Sequence, residues 1–278
     1  MGQFLRDLQT YSFLQYALLA GLLTSISCGI IGSYVTVRRI TYIAGAIAHC
    51  TLGGMGAARF LQKEYGFDVT PLQGAVVAAL LAACIIAMVK YYGSQREDTV
   101  LSAIYSIGMA IGIFFISRTG GYNEDLMSYL FGDILMVSQK DLLLIGALDL
   151  IVVSVVFIFY NKLISVCFDE EFARISGIRV ELFELLLLLL IALTVVLLVQ
   201  VVGIVMVVAM LTLPCAAAGL LVKRLWHMMV VSILLCLFCT TGGLAISYQP
   251  DFPAGATIIL MAGLVYFVAI ALKKFGKI

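Results

Sequence analysis

Long apolar runs, each ending at charges, a proline or a cluster of turn residues, dominate the pattern of the chain. A helix needs about 20 predominantly apolar residues to cross a bilayer, and runs of that length recur throughout. The first covers residues 12–37 and ends at Arg38-Arg39; the second covers 40–60 and ends near Lys63-Glu64. Residues 71–91, charged only at Lys90 near the end, and the charge-free residues 99–117 form two runs separated by Gln95-Arg96-Glu97-Asp98. Residues 126–137 are too few to span and include Asp133, which predicts a re-entrant or interfacial half-helix. A further run covers 142–160, and residues 161–184 are the most polar stretch of the chain. From 185 to 222 the sequence is apolar for nearly twice a spanning length, interrupted by Gln200, Gly203 and Pro214, which fits two helices or one broken one. Runs over 227–248 and 254–272 complete the series, divided by Gln249-Pro250-Asp251-Phe252-Pro253 and closed by Lys273-Lys274.

The pattern predicts an all-α polytopic membrane bundle: one transmembrane domain over 1–278 with eight or nine spanning helices, the half-helix, and a short helix in the polar segment. Lys and Arg set the orientation. Arg38-Arg39, Lys90 with Arg96, Lys162 with Arg174 and Arg179, Lys223-Arg224, and Lys273, Lys274 and Lys277 fall on one side when alternate loops are taken in turn. That side is assigned to the cytoplasm, with the C-terminus inside and the N-terminus outside. Nine spans satisfy this directly; eight require a re-entrant region around Gly203.

Composition narrows the class. With 63% hydrophobic and 12% charged residues, the 278-residue chain has too little polar surface for a soluble globule. A net charge of +1 and no long basic run leave no electrostatic case for nucleic acid. The seven cysteines lie mostly in apolar runs and read as small hydrophobes. The N-terminus lacks a basic region before a cleavable apolar stretch, so the first run is expected to be retained.

The polar segment Phe168-Asp169-Glu170-Glu171-Phe172-Ala173-Arg174-Ile175-Ser176-Gly177 has an acidic start, a helix-compatible body and a glycine suited to a C-terminal cap. A short helix there has one use beyond an ordinary solvated loop: docking into a groove on a soluble motor. The spacing Glu171-x-Ala173-x-x-x-Gly177 resembles the coupling-helix signature of ABC importer permeases, with Phe172 where a second alanine is commoner. Gly29-Ile-Ile-Gly32, Tyr129-Leu-Phe-Gly132-Asp133, the Phe168–Gly177 segment, Gln200-Val-Val-Gly203 through Leu213-Pro214, and Asp251-Phe-Pro-Ala-Gly255 resemble, in order, the zinc, manganese and iron permeases of the ABC-3 family. The resemblance implies a homodimer in the bacterial cytoplasmic membrane, two ATPase subunits and an extracytoplasmic metal-binding protein. It assigns Asp169, Glu170, Glu171, Ala173 and Gly177 to ATPase coupling. No GxxxxGK[ST] phosphate loop occurs, and neither HExxH nor GxSxG is present, so a transport subunit without bound cofactor, rather than an enzyme, is expected.

Ionisable residues inside membrane spans are costly and tend to line a substrate path. His49 lies mid-run among small residues that permit close helix approach, and an imidazole there could meet its dimer mate to bind a metal ion transiently; a hydrogen bond to a neighbouring helix would explain it too. The family usually reads Asp-Ala-x-Ser-His at this place. Here Gly45 and Ala48 replace the carboxylate and the hydroxyl, which inclines the expected cargo to zinc over manganese, with iron possible. Asp133 and Asp251 are further metal candidates, although helix capping and turn formation explain them as readily. Asp149 has no partner nearby in sequence. The rival readings are a permease for siderophore- or cobalamin-type chelates and a membrane subunit of a non-ABC enzyme; the second predicts mid-membrane Lys or Glu residues, which the runs lack.

Overall fold

The structure, a computed structural model, describes residues 6–8, 10–92, 97–119, 129–132, 134–248, 250, 252–274 and 276, with the side chains of Tyr92 and Gln200 left out. The described residues are mostly helical and contain no strand. The helices are α1 (Ser12–Arg38), α2 (Thr41–Tyr65), α3 (Pro71–Tyr92), α4 (Glu97–Ser117), α5 (Gln139–Phe168), α6 (Glu170–Ile175), α7 (Val180–Val202), α8 (Val207–Leu221), α9 (Leu225–Tyr248) and α10 (Ala254–Lys274). Eight of these, α8 being counted from Ile204, are long and apolar enough to cross a membrane, so the chain is a multi-pass membrane protein. The two others are α6, which is too short, and α2, whose glycines, alanines, threonines and His49 leave it less apolar. The long apolar stretch after residue 184 is two helices rather than one: α7 stops at Val202, Gly203 turns the chain at φ 79° and ψ 163°, and a single 3-10 turn, Ile204–Met206, leads into α8. In the half-helix region residues 129–131 are helical and Ile134–Met136 form a 3-10 turn; Asp133 lies outside the described residues.

The chain divides into two compact units. The first comprises residues 1–36, 128–153 and 197–278. Within it α8, α9 and α10 pack on one another, and α1 lies against α9. The hydroxyls of Ser25 and Thr240 stand 3.1 Å apart, and those of Ser33 and Ser232 stand 3.3 Å apart, all four buried. Ser25 and Ser33 also donate back to the carbonyls of Gly21 and Gly29, at 2.6 and 2.7 Å, so these polar groups are satisfied inside an apolar bundle. Between them, a Cβ on Gly29 would lie 2.5 Å from the backbone nitrogen of Ile233, so only glycine admits this approach.

The second unit comprises residues 37–127 and 154–196. Its centre is α2, which packs against α3 and α4 through glycines. A Cβ on Gly56 would meet the Gly112 carbonyl oxygen at 2.6 Å, and one on Gly53 would meet that of Gly108 at 2.9 Å. Lipid gives helices no hydrophobic reason to associate, so backbone approach of this kind supplies the van der Waals contact that holds them. The small residues that lower the apolarity of α2 are therefore the ones that place it in the middle of its unit.

Candidate functional site

The polar segment folds as a fully capped helix of six residues. Asp169 is its N-cap, the carboxylate accepting from the Phe172 backbone N–H at 2.9 Å. At the other end Gly177 turns at φ 78°; its N–H donates to the Arg174 carbonyl at 3.1 Å, and the Ile178 N–H donates to the Ala173 carbonyl at 3.0 Å. This paired arrangement closes a helix end through a left-handed glycine. Each helix end leaves four backbone groups unsatisfied, which explains why so short a helix needs caps at both ends.

The side chains of α6 separate by face. Ala173 is buried, whereas Phe172 and Ile175 are 61% and 86% exposed, and Phe168 just before the helix is also exposed. Glu171 projects outward. Glu170 turns back to Arg38, the last residue of α1, whose Nη2 donates to its carboxylate. The same nitrogen lies 2.9 Å from Oε1 of Glu184 in α7, and Lys90 Nζ near the end of α3 reaches that oxygen at 2.7 Å. The Arg38 and Glu184 side chains are 11% and 10% exposed. Taking one partner from a buried pair costs on the order of 3–5 kcal/mol, because the other charge stays desolvated. Beside this group Lys162 Nζ lies 5.5 Å from the ring centre of Phe183 and 5.8 Å from that of Phe159, its stem covering apolar surface.

His49 lies on α2, half-buried, with its ring 4.0 Å from that of Tyr105 on α4 and tilted by 44°. Its Nδ1 is buried and makes no hydrogen bond among the described residues. One turn earlier, Gly45 opens onto a cleft of about 530 Å³, also lined by Tyr42, Asp98, Ser102, Tyr105 and Ser106. The absent side chain at position 45 thus leaves room, and the nearest carboxylate lining that room belongs to α4. Among the described residues no three His, Cys, Asp or Glu side chains converge to hold a metal ion. This face offers a single imidazole donor with hydroxyls and one carboxylate around the cleft. Asp251, like Asp133, falls outside the described residues.

Sequence reasoning missed Tyr105, Arg38, Lys90 and Glu184, all of which act through contacts distant in the chain. It also left Asp149 without a partner. The structure supplies one in the first unit, where the buried Ser27 hydroxyl of α1 donates to the Asp149 carboxylate. The cysteines behave as small hydrophobes with weak donors: Cys28, Cys215 and Cys236 are free and buried, and the Cys28 thiol reaches the Met210 carbonyl at 3.3 Å.

Comparison with known proteins agrees with this architecture. The model of the ABC 3 transport family matches residues 10–273. A probable metal transport system membrane protein of Chlamydia pneumoniae is 37% identical over 274 residues, 99% of this chain and 94% of the relative. The manganese transport system membrane protein MntC of Halalkalibacterium halodurans is 34% identical, with 96% of this chain and 89% of the relative aligned. Among solved structures, PsaBC from Streptococcus pneumoniae, in complex with a Fab, superposes with a TM-score of 0.86 at 31% identity over 96% of this chain and 94% of that one.

Proposed function

Because this chain belongs to the ABC 3 transport family, we propose that it is the membrane-spanning subunit of an importer for a divalent transition-metal ion, working as a homodimer driven by separate ATPase subunits. The observation that carries the reading is α6: a six-residue helix, capped at both ends, with Phe172 and Ile175 exposed beside an outward Glu171. An exposed aromatic on a rigid short helix suits insertion into an apolar groove of a soluble partner. The sequence has no phosphate loop of its own, so energy comes from that partner. The C-terminus and α6 then share the cytoplasmic side, and an extracytoplasmic binding protein delivers the cation from the other.

His49 is the cation's contact within the membrane. Its unpartnered Nδ1 in a glycine-lined stretch, next to a cleft with Asp98 and four tyrosine or serine hydroxyls, supports a transient, weakly held ligand set completed across the two-fold axis. Weak binding suits passage. Asp133 and Asp251 belong to the same proposal as outer-side candidates.

On the identity of the cation, two observations pull apart. Glycine at position 45 removes an oxygen donor and favours zinc, whereas the name of the Halalkalibacterium relative favours manganese. Zinc follows from this chain's own residues and is the reading put to test. Uptake of radiolabelled zinc, manganese and iron in competition, in cells expressing the chain with its ATPase, should show zinc excluding the others; preferential manganese uptake would reverse that assignment. His49→Ala is expected to abolish uptake while the ATPase still co-purifies, and unchanged uptake would remove His49 from the path.

A further inference from the structure

The ion cluster behind α6 includes neither the exposed Phe172 and Ile175 nor His49. Its members come from four places: Arg38 closes α1, Lys90 lies near the end of α3, Glu170 opens α6, and Glu184 lies in the second turn of α7. A solvated group of surface charges would be the bland explanation, and exposed ion pairs do little. Burial excludes it at the two central members, since the Arg38 and Glu184 side chains keep only 11% and 10% of their exposure. Two cations and two carboxylates leave the cluster neutral, and Arg38 is the shared member. One guanidinium nitrogen serves both Glu170 and Glu184, and Glu184 in turn holds Lys90.

The structure assigns to Arg38 and Glu184 the role of a mechanical latch that transmits displacement of α6 to the ends of α1, α3 and α7. This rests on the reading of α6 as the ATPase dock. The argument is one of desolvation. A buried charge cannot shed a partner without cost, so a shift of the half-exposed Glu170 either carries Arg38 with it or takes from that buried guanidinium one of its two carboxylates. Apolar contact alone lets a helix slide, whereas a guanidinium nitrogen shared by two carboxylates has few alternative arrangements. Arg38 and Glu184 are therefore positioning residues for the transport cycle, and they touch no cation.

The test uses the complete permease–ATPase complex in lipid vesicles. It measures ATPase co-purification, ATP hydrolysis, and radiolabelled zinc or manganese taken up per ATP. Glu170→Gln, at a side chain 46% exposed, should lower uptake per ATP about tenfold, a size consistent with perturbation of a coupling network. Glu184→Gln should act in the same direction, and the double variant should be no worse than Glu184→Gln alone, because both carboxylates work through Arg38. Glu170→Asp, which keeps the charge, should recover part of the loss. Uptake per ATP equal to that of the unmodified complex in Glu170→Gln would overturn the latch, as would release of the ATPase by that variant, which would make Glu170 a docking contact. Failure of the unmodified chain to retain any ATPase would instead overturn the docking reading itself.

Discussion

Replacing Gly203 by alanine should destabilise the first unit by roughly 2–6 kcal/mol. Two separate costs make up that figure. At φ 79° and ψ 163° the residue occupies a backbone region that is essentially reserved for glycine, which charges any other residue about 1–3 kcal/mol. The added Cβ would also stand 2.5 Å from the Leu130 carbonyl oxygen, against backbone rather than a flexible side chain, and overpacking of that kind adds about 1–3 kcal/mol. Gly132, at φ 72° on the facing segment, has the mirror problem, with its own Cβ 2.6 Å from the Val202 carbonyl carbon, so neither side can yield. Folded domains are stable by about 5–15 kcal/mol in all, so the loss is a large fraction. The chain carries its own reporter: Cys28, Cys215, Cys236 and Cys239 are buried and free. Their reaction with a small maleimide in detergent micelles, followed as temperature rises, should begin well below the unmodified protein's onset. Gly263→Ala is the control, because no atom lies within 4 Å of its added Cβ and the position is helical. That variant should be neutral or more stable by about 0.5–1 kcal/mol. Equal onset for Gly203→Ala and the unmodified protein would refute the reasoning.

Asp169→Ala removes the only side-chain cap of α6 and should cost about 1 kcal/mol of local stability, read as faster proteolysis between residues 168 and 177 in the folded protein. Gly177→Pro cannot adopt φ 78° and deletes the N–H that bonds Arg174, so the ATPase should no longer co-purify; recovery at the normal ratio would contradict the role of this cap. Glu171→Lys reverses the outward charge of the same helix and is expected to weaken the same association without altering expression level.

The apolar runs made the spans legible because a bilayer demands length and leaves charges only at the ends. The runs mark the start of α3 and the end of α9 at the residues where the structure has them. Where helix and run part company, a charge inside a helix has a partner that the run does not show. Residues 161 and 162 read as loop, yet α5 continues to Phe168, with Lys162 Nζ 5.8 and 5.5 Å from the ring centres of Phe159 and Phe183. Glu181 and Glu184 read as loop too, yet α7 starts at Val180, with Arg174 3.3 Å from Glu181 and Arg38 and Lys90 on Glu184. Both caps of α6 were visible in the order Asp169 to Gly177, since capping is a local matter. His49 stood out as an ionisable group in an apolar run, but Tyr105 against it and Asp98 in the adjoining cleft arise from the packing of α4 on α2, which no local pattern encodes.

The two hydroxyl contacts between α1 and α9 amount to a vernier. Ser25 and Ser33 are eight residues apart on one helix, and Thr240 and Ser232 are eight apart on the other in the opposite order, so both contacts close at one alignment of the antiparallel pair. Sliding by a single residue, about 1.5 Å, would open both at once and drive the backbone of Ile233 away from the notch at Gly29. Any rearrangement that this half of the molecule undergoes must therefore carry α1 and α9 together as one piece.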